Sequence, residues 1–193
     1  MMRTRARSDI PLADHIALVA GGLFYREGIH MVGVDRVAAE AEVTKRTLYR
    51  HFPSKDLLIA AALRRAPKIR FPRDGTPRSQ ISGAFRAMIE FLKSSSYRGC
   101  PYIIASAELV DPHHPARVIV NELVRRRRQW FHDRVVEAGA ASPELLAEQL
   151  DVLFDGALAN AVKRSETIPA EAALAAAESL LDAATPRRKR GAA

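Results

Sequence analysis

The chain has 193 residues, 48% hydrophobic and 27% charged, which supplies a packed core and excludes wholesale disorder. Lys and Arg number 30 against 22 Asp and Glu, and the formal charge of +8 favours a polyanionic partner. The lone cysteine, Cys100, excludes an intramolecular disulfide and a multi-cysteine metal site; no apolar run is long enough for a membrane span, and the basic start (Arg3, Arg5, Arg7) lacks the apolar segment of a signal peptide, so a reducing cytoplasm and no membrane partner are expected.

Helix formers dominate, alternating β-branched runs are missing, and Gly and Pro gather at a few points, so an all-α fold is expected. The first helix falls at 11–27, where Ile16, Val19, Ala20, Leu23 and Phe24 recur at helical spacing and Gly28 ends it. Short helices follow at 34–41 and 45–52, the second with Thr44 as N-cap. Pro53 and Ser54 interrupt the chain, and Ser54 caps a fourth helix through Asp56, Leu57, Leu58, Ala61 and Leu63. Pro67, Pro72, Gly75 and Pro77 then mark a break, taken as a domain boundary: 8–66 for the first domain, 67–185 for the second, and 186–193 as a basic tail. In the second domain helices are expected from Ile81 to Leu92, at 101–110, at 116–138 ended by Gly139, from Ser142-Pro143 to about 163, and at 170–184.

The second and third helices are joined by the very short turn Glu42-Val43-Thr44, with small Ala38 and apolar Leu48 placed for a close crossing. That is the shape of a helix-turn-helix, whose second helix enters the DNA major groove. Leu48 and Phe52 lie one turn apart and face the core, which leaves Lys45, Arg46, Thr47 and Arg50 on other faces. Arg or Lys there can read guanine, while Tyr49, His51 and Lys55 suit phosphates. The arm with Arg3, Arg5 and Arg7 could also track phosphates or a minor groove.

From Ile16 to Leu58 the chain resembles the N-terminal domain of the TetR/AcrR family. The matching run is Leu23-Phe24, Gly28, Val34, Val37-Ala38, Ala41, Val43-Thr44 and the stretch Thr47-Leu48-Tyr49-Arg50-His51-Phe52-Pro53-Ser54-Lys55-Asp56-Leu57. The resemblance implies a bacterial homodimeric regulator that binds a palindromic operator, usually as a repressor, and is released by a small molecule held in the C-terminal domain. By position, Lys45, Arg46, Thr47, Tyr49 and His51 would face DNA, with Thr44 and Lys55 on the backbone. Two residues depart from the family pattern. Glu42 stands where Gly is usual in the turn, and Gly33 where Ser or Thr usually caps the second helix.

The helix at 116–138 has an apolar stripe through Ala116, Ile119, Val120, Leu123, Trp130, Phe131 and Ala138, with Arg127 and Arg134 inside it by phase. An inward Arg must reach water, pair with an acidic neighbour or meet an anionic ligand. The resemblance implies an effector pocket, which would be lined by Phe85, Met88, Phe91, Leu92, Tyr102, Ile103, Ser106, Arg127, Trp130, Phe131 and Phe154. The helix from Pro143 is apolar on more than one face and the last helix offers residues small enough for close approach, which suggests a two-fold helical bundle using Leu150, Leu158, Val162, Leu174, Ala177 and Leu181. No catalytic pattern, cofactor fingerprint or dedicated metal site stands out. The alternatives kept open are a thiol sensor at Cys100, which precedes a helix, and a metal sensor at Asp111, His113 and His114.

Overall fold

The computed structural model describes residues 10–94 and 97–185; the N-terminal arm and the basic tail at 186–193 lie outside the described residues. Among these the chain forms nine α-helices and no strand. They divide into two compact units. The first holds the chain up to Ala66 together with Ala105–Ile119, and the second holds Pro67–Ile104 together with the chain from Val120.

The first unit is built on α1 (Leu12–Glu27), α2 (Val34–Glu40), α3 (Lys45–His51) and α4 (Lys55–Arg65). The expected apolar spacing does its work here: Ile16, Ala17, Ala20 and Leu23 of α1 are fully buried, as are Val37, Leu48 and Leu58. Each buried Leu or Ile is worth roughly 1.5–3 kcal/mol against exposure. Gly28 stops α1 at φ 95°, a conformation that side chains resist. Caps set the next starts: Thr44 Oγ1 accepts from Thr47 N–H at 3.1 Å and Ser54 Oγ from Leu57 N–H at 3.1 Å.

The contiguous division at 66/67 needs a correction, because Ala105–Ile119 belongs with the first unit. The physical ties are specific. Glu108, at the end of α6 (Pro101–Glu108), accepts a hydrogen bond from the Ile29 N–H at 2.8 Å, and the His30 ring bonds the Glu108 carbonyl at 2.8 Å. No local pattern announces a carboxylate that satisfies backbone groups seventy-nine residues away.

The second unit contains α5 (Pro77–Leu92), most of α7 (Pro115–Glu137), α8 (Pro143–Arg164) and α9 (Ile168–Ala184). Helices α5, α8 and α9 pack together around Phe85, Met88, Phe131, Leu150, Phe154, Leu158 and Leu181, each buried. Thr76 caps α5 with Pro77 in its first turn, and Arg78 ties that end to the last turn of α9 through the Leu181 carbonyl at 2.8 Å and Asp182. Ser142 precedes α8, but its side chain makes no capping bond.

This packing buries most of the residues expected at a dimer seam. Leu150, Leu158, Ala177 and Leu181 are buried inside their own unit, and Leu174 is half-buried against its core. Of the set only Val162 is exposed. The uncovered face of α8 is a different one: Leu145 and Val152 are each 61% exposed and share a helical face with Gly156, where an added Cβ would meet nothing within 4 Å.

Candidate nucleic-acid interface and ligand cavity

Helix α3 is held from one side. Leu48 is fully buried, and this anchor turns the rest of the short helix outward. Thr44, Lys45, Arg46, Tyr49 and Arg50 are exposed, and Thr47 and Lys55 half-exposed, so a row of cations and hydroxyls occupies one surface. Lys45 pairs with Asp35 of α2 at 3.0 Å; the bond and attraction to that carboxylate raise its pKa and keep it charged. Thr44 and Thr47 share a hydroxyl–hydroxyl bond of 2.9 Å. His51 differs from expectation. It is half-buried, and its Nε2 has no access to solvent and no partner among the described residues.

The two departures from the family pattern fall at the turn and at the start of α2. Glu42 adopts φ 56°, left-handed backbone that costs a non-glycine residue about 1 kcal/mol. The Ala38 carbonyl still accepts from Val43 N–H at 3.0 Å, so the turn closes without the glycine. Gly33 is a normal extended N-cap (φ −81°, ψ 158°) with no side-chain cap, and a Cβ there would meet nothing within 4 Å.

The second unit carries a partly open cavity of about 250 Å³. Of the expected pocket residues, Phe91, Tyr102, Arg127, Trp130 and Phe154 line it. Phe85, Met88 and Phe131 are instead fully buried core, Leu92 and Ile103 pack in or against that core, and Ser106 belongs to the first unit, where its carbonyl accepts from Arg117 at 3.1 Å. The structure adds Cys100, Pro101, Leu123, Arg126, Leu158 and the strap at 67–71. The strap reads as a break because of its prolines. Its signal is the alternation Lys68-Ile69-Arg70-Phe71, which sends Ile69 and Phe71 inward. Phe71 lies edge-on to Trp130 at 4.6 Å and to Phe154 at 5.5 Å between centroids.

Arg127 resolves in favour of an ion pair. Nε donates to Asp151 at 2.5 Å, Nη1 and Nη2 grip Asp155 at 2.8 Å each, and the guanidinium sits 5.3 Å over the Phe154 ring. Burial works against the charge, but the bonds to Asp151 and Asp155 outweigh it and hold the pKa above the usual arginine range. Arg134, the other Arg in the stripe, meets Gln80 at 3.2 Å and Glu137.

The two alternative sensors lose support on geometry. Burial pushes the Cys100 thiol above its ordinary value, against the thiolate that redox sensing needs. Asp111 Oδ1 accepts from the His113 N–H at 2.8 Å, and His114 Nδ1 caps the start of α7 by accepting from Ala116 N–H at 3.0 Å. Among the described residues no group of three or more His, Cys, Asp or Glu is placed to hold a metal ion, and no helix is long and apolar enough to cross a membrane.

Comparison with known proteins bears on the helix-turn-helix and on the fold. The family model "Bacterial regulatory proteins, tetR family" matches residues 18–62, which span the helix-turn-helix. A putative TetR transcriptional regulator from Streptomyces avermitilis shares 30% identity at a TM-score of 0.78, over 91% of this chain and 98% of that one. A TetR-family transcriptional regulator from Streptomyces coelicolor shares 28% at a TM-score of 0.80, over 91% and 96%. The HTH-type transcriptional regulator YjdC of Escherichia coli K12 is 21% identical over 163 residues, 80% of this chain and 85% of its own length.

Proposed function

Because the chain belongs to the TetR family of DNA-binding transcriptional regulators, we propose that it is a homodimeric repressor released from a palindromic operator by a small-molecule effector. The observation that carries the DNA half is the outward surface of α3, fixed by buried Leu48 and capped by Thr44. Arg46, Lys45 and Thr47 read base edges, with Arg50 beside them; Thr44, Tyr49 and Lys55 contact phosphates. His51, whose Nε2 is buried, is left out of the contact set in this reading. The cavity of the second unit is the effector site.

The dimer forms through the uncovered face of α8, with Leu145 and Val152 covered and Gly156 admitting close backbone approach. Two heads on a two-fold axis then meet two half-sites. Selection from a random duplex pool tests the reading: an inverted repeat should be enriched, and its affinity should fall steeply with salt. Lys55→Ala should weaken all sites alike, whereas Arg46→Ala should also relax preference at one base pair of each half-site. Failure to enrich any sequence would reject the operator reading.

A further inference from the structure

On the reading that the cavity is the effector site, we propose that its ligand is an uncharged aromatic molecule carrying a hydrogen-bond acceptor, and neither an organic acid nor an amine. The walls select for rings. Phe71, Trp130 and Phe154 present edges and faces to one another, and Phe91, Leu123 and Leu158 complete an apolar lining.

Charge decides the rest. Arg127 lines the cavity with its side chain only 9% exposed, and an unpaired guanidinium there would call for an anionic ligand. It is not unpaired. One cation already faces two carboxylates, Asp151 and Asp155, so the cluster carries a surplus of negative charge. A ligand carboxylate would add a third negative group beside Asp151, whose side chain is only 11% exposed. Lys68 and Arg126 also line the cavity, but both are exposed and Arg126 already pairs with Glu122, so they offset little of that repulsion. An ammonium fares no better, because no carboxylate is among the lining residues to receive it, and Asp151 and Asp155 are turned to Arg127. Cys100 offers no thiolate to receive it, since burial keeps the thiol protonated. What remains is the part of the Arg127 donor fork that Asp151 and Asp155 do not use, which can donate to a neutral carbonyl, ester or ether oxygen.

Trp130 is the chain's only tryptophan and lies in the cavity wall, so its fluorescence reports occupancy directly. The full-length protein is titrated with 2-naphthoate, methyl 2-naphthoate and 2-naphthylmethylammonium, and with the same acid, ester and amine series on benzene and anthracene. Trp130 quenching and operator affinity are both read, with Leu123→Phe as a variant that fills the cavity. In the best-fitting skeleton the ester should quench Trp130 with an affinity at least about tenfold above the acid and the amine. Leu123→Phe should lose that difference while keeping its helical circular dichroism. An acid or amine that binds tighter than its ester overturns the proposal and leaves the effector reading standing. Ester binding that quenches Trp130 without moving operator affinity supports the ligand chemistry and rejects the effector reading. Absence of quenching across every skeleton overturns the proposal outright.

Discussion

Replacing Arg127 by Met removes three charge-assisted hydrogen bonds and leaves two carboxylates facing each other. Asp155 has a side chain 42% exposed and can recover water, whereas that of Asp151 is 11% exposed and cannot. The penalty therefore falls mainly on Asp151, at the low end of the cost of orphaning a buried ion-pair member, about 3 kcal/mol. For a chain of this size each kcal/mol moves Tm by about 2–4 °C, so a fall of roughly 6–12 °C is expected at fixed protomer concentration. The deficit should depend on pH. An unpaired buried carboxyl holds its proton to higher pH than in the unfolded chain, so the folded variant binds more protons and loses stability as pH rises. The difference from wild type should accordingly be smaller near pH 5 than near pH 7.5, given an unfolded aspartate pKa of about 3.9. The double variant Arg127→Met with Asp151→Leu should recover much of the loss, because the orphaned charge is gone. Differential scanning calorimetry reads all three. A Tm drop under about 2 °C, or one that is the same at both pH values, would refute the account of Arg127 as the clamp on Asp151.

Leu145→Glu with Val152→Glu should give folded monomers by sedimentation, since both side chains are exposed on one face of α8; a protein that stays dimeric places the interface elsewhere. Leu150→Glu should instead unfold the second unit, because Leu150 is fully buried. Glu42→Gly should gain up to about 1 kcal/mol in urea unfolding, as relief of left-handed backbone outweighs the added freedom of the unfolded chain; a loss of stability would mean that Glu42 is held there by more than the turn. Cys100 should react with iodoacetamide more slowly in the folded than in the urea-unfolded protein across the neutral to mildly alkaline range, since burial raises its pKa; equal rates would return Cys100 to the sensor candidates.

The parts that could be read in advance are governed by neighbours in the chain. Helix starts at Thr44 and Ser54, the stop at Gly28 and the turn at Glu42 depend on residues within a few positions, so local chemistry specifies them. The inward position of Leu48, and with it the outward row on α3, follows from helical phase alone. Glu42 in the place of the usual glycine marks the turn, and the structure gives its backbone as left-handed.

The cavity and the uncovered face of α8 were not readable that way. Phase places Arg127 in an apolar stripe, but Asp151 and Asp155 lie on α8, and only packing brings the two helices' side chains together. Helix α8 is apolar on several faces, and its sequence does not say which of them α5 and α9 will cover. Leu150 and Leu158 went to the core, and Leu145 and Val152 were left outside. Glu108 joins the first unit through bonds to Ile29 and His30 that span most of a domain's length. Local structure is set by short-range sterics and hydrogen bonds, which a single segment carries within itself. The choice among apolar faces and the partner of a buried charge depend on which surfaces meet, and that is settled by the free energy of the whole packed unit.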